Sequence, residues 1–91
     1  MDITSLDQEY IYWKYKGQWC VARVQVNAAA DKVFLYLWQL DGTFICMTAG
    51  KQPETIFQSQ GYKLWLREGR PHLKESLDQK AKTKLEQIEL F

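Results

Sequence analysis

Between Glu9 and Ala49 the chain alternates short apolar runs with turn residues, and the spacing inside each run is two rather than three or four. "EYIYWKY" (Glu9 to Tyr15) is aromatic and β-branched, and "KGQ" after it reads as a turn, with Gly17 free to take positive φ. "WCVARVQV" (Trp19 to Val26) makes a second strand that runs into the loop "NAAAD". In "KVFLYLWQL", Val33, Leu35 and Leu37 alternate with Phe34, Tyr36, Trp38 and Leu40, so both faces are apolar. Such a strand belongs in the middle of a sheet, covered on both sides. Asp41-Gly42 carries the type I′ hairpin signal and leads into "TFICMTA". "GKQPETIFQSQG" reads as a loop that can hold one helical turn after Pro53. "YKLWLR" (Tyr62 to Arg67) reads as a fifth strand, closed by "EGRP".

The period then changes. Leu73, Leu77, Ala81, Leu85 and Ile88 recur at helical steps and form one apolar stripe, with charged residues such as Glu75, Asp78, Lys80, Lys82 and Lys84 on the other faces. Pro71 suits a first helical position, and "SLDQ" (Ser76 to Gln79) offers an alternative capping-box start. The expected fold is α+β and mainly β: about five antiparallel strands in a curved sheet or small barrel, then one C-terminal amphipathic helix. One domain spans 1–91, with strands within 9–67, a helix over 71–89 and a partner-binding tail at 87–91.

Composition supports a compact core for a chain of this length. Hydrophobic residues make up 46% and aromatics 14%, and twelve of the thirteen aromatics lie between Tyr10 and Trp65. The net charge of +1 supplies no long-range field toward nucleic acid or an anionic membrane. Cys20 and Cys46 sit far apart inside apolar runs, a usage that suits a reducing compartment; a disulfide between them needs their strands to pair. The N-terminal "MDITSLDQEY" is acidic where a signal peptide is basic, and no apolar run approaches membrane-spanning length. The expectation is a soluble, cytoplasmic protein.

Catalytic chemistry has little to stand on. His72, the one histidine, sits beside Pro71 at the expected helix start. No nucleophile–base set can be drawn without it, and two strand cysteines with one distant histidine make no zinc site. The carboxylates fall in loops, turns and the helix, and the five glycines are scattered as turn residues. The reading is a non-enzymatic protein without cofactor or metal.

Binding chemistry has more. Trp13, Lys14 and Lys16, with Trp65 and Arg67 later, interleave aromatic and basic side chains as a single-strand stacking surface does. The bland alternative is ordinary strand alternation, one face packed and one wet. Gly17, Trp19, Ala22 and Val24 in "YKGQWCVARVQV" resemble the first hairpin of Tudor and related small β-barrels. That resemblance covers about a dozen residues and implies a barrel and a binding role.

Gln87, Ile88, Glu89, Leu90 and Phe91 resemble the bacterial sliding-clamp-binding pentapeptide, whose pattern is Gln, Leu, a small polar or acidic residue, Leu, Phe. The resemblance makes Gln87 a polar latch, Ile88 the first apolar contact, and Leu90 with Phe91 the anchors. Ile88 replaces the usual Leu, and Glu89 stands where Ser or Asp is commoner. Burying the two anchors contributes roughly 1.5–3 kcal/mol each, against about 1–2 kcal/mol for each backbone residue ordered. Alone, the peptide binds at about micromolar or weaker. The competing reading is that Ile88 and Phe91 continue the helix stripe and pack on the sheet or across a homodimer. Three functions follow from these features: an adaptor whose protein partner is the clamp, a structural or homodimeric module, and a nucleic-acid-binding barrel.

Overall fold

Lys16 and Gly17 both take positive φ, 50° and 78°. That pair of angles is what a two-residue hairpin between right-twisted strands requires. In the computed structural model, which describes residues 2–27, 29 and 31–78, β1 (Tyr10–Tyr15) therefore turns directly back on β2 (Gln18–Asn27), with Tyr15 opposite Gln18 and Tyr10 opposite Arg23. β3 (Lys32–Gln39) pairs with β2, and β4 (Phe44–Met47) with β3, all antiparallel, in the order β1-β2-β3-β4.

The Asp41-Gly42 turn is not type I′. Gly42 alone takes positive φ, 93°. Its N–H donates to the Gln39 carbonyl at 2.9 Å, Gln39 N–H donates to the Thr43 carbonyl at 2.7 Å, and Thr43 N–H donates to Asp41 Oδ1 at 2.9 Å. The carboxylate of Asp41 thus caps a three-residue loop that ends in a left-handed glycine, the next commonest hairpin connection. Beyond it the register slips: Phe44 faces Trp38 and Cys46 faces Leu37, with Ile45 bulged between them.

"YKLWLR" is a helix rather than a fifth strand. α1 (Pro53–Phe57) begins with its proline in the first turn. After it, Ser59 caps α2 (Gln60–Arg67): its Oγ accepts from Tyr62 N–H at 3.2 Å and donates to the Ile56 carbonyl at 2.7 Å. At the far end Gly69 takes φ 84°, its N–H donates to the Leu66 carbonyl, and Arg70 N–H donates to the Trp65 carbonyl. This is a Schellman stop. Tyr62, Trp65 and Leu66 share one side of that helix at steps of three and one, and the first two are buried.

The described residues hold four strands, β1 and β4 do not pair, and of the curved sheet or small barrel expected the structure has the open sheet. It is nonetheless strongly curled. The Cys46 thiol on β4 donates to the Tyr15 hydroxyl on β1 at 3.8 Å, across two intervening strands. Adjacent strands lie about 4.8 Å apart, so side chains from opposite margins meet only over a concave face. Ile11, Ala22, Val24, Val33, Leu35 and Leu37 line that face without solvent exposure. Ile56, Tyr62 and Trp65 from the two helices close over it, with Leu6 from the N-terminal 3-10 turn (Ile3–Leu6).

Residues 73–78 are helical, and Leu73 and Leu77, the first two members of the expected stripe, are buried in the same core. The helix expected from Pro71 starts two residues later, because Pro71 and His72 are not helical; its expected course over 79–89, and the tail at 87–91, lie outside the described residues.

Candidate functional site

The strands have a second face. Register places Tyr12, Val21, Trp38 and Phe44 in one row across it, and Tyr10, Arg23, Tyr36 and Met47 in the next. β3 is interior, as its sequence implies, but only Val33, Leu35 and Leu37 are buried; Phe34, Tyr36 and Trp38 stay half-buried on this outer side.

The rings on it touch one another. Tyr10 and Trp38 lie 5.7 Å apart, tilted at 35°, and Phe44 stands edge-on to Trp38 at 5.5 Å. These geometries are the ones aromatic quadrupoles favour. Val21, in the same row as Trp38, is 3% exposed and belongs to the buried cluster, against which Tyr10, Tyr12 and Trp38 pack. Phe44 and Met47 by contrast remain 53% and 52% exposed, and Trp19 36%.

Cations are threaded through the rings. The Arg23 guanidinium stacks over Tyr36 at 4.5 Å, and Lys14 Nζ sits over Trp19 at 5.6 Å. Arg23 also donates to Gln8 Oε1 at 3.4 Å, while its Nε is buried with no hydrogen-bond partner among the described residues. No acid occurs anywhere in the four strands, which hold Lys14, Arg23 and Lys32. At the margin, the Tyr12 hydroxyl donates to the Glu68 carboxylate at 2.8 Å. Burial, then that hydrogen bond and the charge of Glu68, push the Tyr12 hydroxyl above its ordinary pKa.

The residues picked out from sequence do not share this surface. Lys14 lies on it and is exposed. Trp13 pairs with Cys20 on the concave side, half-buried, with Lys51 Nζ 5.7 Å from its ring. Lys16 is in the hairpin turn, over the Tyr15 ring. Trp65 is 4% exposed, and its Nε1–H donates to the Pro71 carbonyl at 3.1 Å. Arg67 is exposed at the end of α2. Gln87, Ile88, Leu90 and Phe91 lie outside the described residues. Sequence reasoning passed over Tyr10, Arg23, Tyr36, Trp38 and Phe44 as strand alternation, and only cross-strand register brings them together.

Cys20 and Cys46 are free thiols on β2 and β4, strands that do not pair. Burial, with a smaller effect from the neighbouring Cys46, pushes the Cys20 thiol up. His72 is exposed and borders a groove of about 250 Å³ with Glu9, Trp65 and Arg70. Among the described residues no cluster of three His, Cys, Asp or Glu side chains is placed to hold a metal ion, and no helix is long and apolar enough to cross a membrane. No protein-family model, curated protein or solved structure matches the chain.

Proposed function

We propose that the chain is a small non-enzymatic binding protein whose contact surface is the outer face of its sheet. One observation carries this reading. Phe44 and Met47 stay about half exposed beside the Tyr10–Trp38 pair, while Ile11, Leu35, Leu37 and Ile56 make a fully buried core on the opposite side. Large apolar groups held at a surface in a contiguous patch mark interaction sites. The test is stability. Replacing Phe44 and Met47 together by Ser costs less than about 1.5 kcal/mol, the worth of one aromatic pair. A loss of about 3 kcal/mol or more, the cost of truncating a core aromatic, makes this face part of the core and overturns the reading.

A second reading rests on the sequence Gln87, Ile88, Glu89, Leu90, Phe91. In it the protein is an adaptor that engages the bacterial sliding clamp through that peptide. Calorimetry with the purified clamp ring compares the full chain with a chain lacking Leu90 and Phe91. Equal heats for the two discard the clamp.

A further inference from the structure

The outer face combines three properties that single-stranded nucleic acid selects together. It carries rings on which bases stack: Tyr10, Trp38 and Phe44 form a connected series from β1 to β4. It carries cations beside those rings: Arg23 on Tyr36 and Lys14 on Trp19. And its strands contribute base without acid, Lys14, Arg23 and Lys32, with the carboxylates kept to the margin, Glu68 on the Tyr12 hydroxyl and Glu9 and Glu75 beside Tyr10.

We infer that this face binds single-stranded nucleic acid, with bases stacking against Phe44 and the Tyr10–Trp38 pair and phosphates meeting Lys14, Arg23 and Lys32. The inference rests on the outer face being the contact surface and names its ligand. Arg23 suits the role because its guanidinium plane is already stacked, so little side-chain freedom is lost when a base or phosphate arrives. Stacking is sequence-tolerant, because every base has a π-face, and cations beside the rings add to it.

The experiment is fluorescence anisotropy of the full chain with labelled oligothymidine and, separately, oligouridine of about 12 nucleotides, within the usual site size of such surfaces. The two probes distinguish DNA from RNA. Affinity falls about 20-fold between about 50 and 200 mM salt if three phosphates are neutralised. Phe44→Ala, at an exposed position, weakens binding about tenfold without loss of fold. Lys14→Gln flattens the dependence on salt. No anisotropy change with either probe overturns the proposal, as does binding that is indifferent to Phe44→Ala and Lys14→Gln. Sedimentation adds one further arm: a dimer that Phe44→Ala converts to monomer assigns the face to a second copy of the chain, and the proposal fails. If the Ser double variant keeps its stability and no oligonucleotide binds, the ligand assignment alone is wrong. If that variant unfolds, the contact surface itself is wrong.

Discussion

The hydroxyl of Tyr12 on β1 donates to the carboxylate of Glu68 at the C-cap of α2, 2.8 Å away and 56 residues along the chain. The bond ties the edge of the sheet to the end of the helix that crosses it. Its sign in pH follows from its cause. Burial, with the Glu68 charge adding to it, raises the Tyr12 pKa above the ordinary value of 10.0 in the folded state. The neutral phenol is therefore favoured by folding, and the contribution is complete below about pH 10 and lost as pH rises through the folded pKa. Tyr12→Phe removes it. The variant is less stable by about 0.5–1 kcal/mol at neutral pH, a low figure because the bond is exposed to solvent. Urea melts at rising pH show the wild-type advantage shrinking in alkali; a constant difference contradicts the assignment.

Gly61 is held against the backbone of β1. A Cβ there would sit inside van der Waals contact of the Tyr12 carbonyl and 2.9 Å from the Trp13 Cα. Backbone does not yield as a side-chain tip does, so Gly61→Ala forces α2 off the strand. The expected loss is about 2–3 kcal/mol despite the better helix propensity of alanine. Chemical denaturation measures it, and a variant as stable as the parent shows that this contact is looser than described.

Ser59 ends one helix and starts the next with a single hydroxyl. Ser59→Ala leaves Tyr62 N–H without its cap and costs about 1 kcal/mol. Ser59→Asp restores an acceptor and recovers most of the loss. Thermal melts of the pair distinguish a capping role from a packing one, which aspartate does not rescue.

The two thiols differ in reach. Cys20 is buried and its pKa is raised, whereas Cys46 is partly open. Because the thiolate is the reacting form, iodoacetamide modifies Cys46 first in the native protein, and Cys20 follows only on unfolding. Mass spectrometry of a time course decides it; modification of Cys20 at the rate of Cys46 contradicts the burial.

The hairpins were legible because their evidence is local: a period of two, interrupted by Lys16-Gly17 and by Asp41-Gly42. Even there, side-chain chemistry decided the details, since Asp41 capping Thr43 made a three-residue loop of an expected two-residue one. "YKLWLR" was ambiguous in itself. Tyr62, Leu64 and Leu66 alternate as a strand does, while Tyr62, Trp65 and Leu66 recur as a helix does. The signals that separate the two are Ser59 before it and Gly69 after it, a cap and a stop spaced for a short helix. Once the period there became helical, Trp65 turned into the core and its interleaving with Arg67 no longer described a surface. The outer face lay beyond a linear reading for another reason. Tyr10, Trp38 and Phe44 come from three strands, and the bulge at Ile45 decides which residue of β4 faces Trp38.

The margins of the open sheet also govern how copies of the molecule meet. At β1 an incoming strand finds α2 lying against the backbone of Tyr12 and Trp13. At the other margin β4 offers a ladder of four residues, bent by its bulge, and Lys51 continues along β3 through its pairing with Val33. Among the described residues, neither side presents a long, straight template for fibril growth, so contact between copies is steered away from the sheet edges and toward its faces.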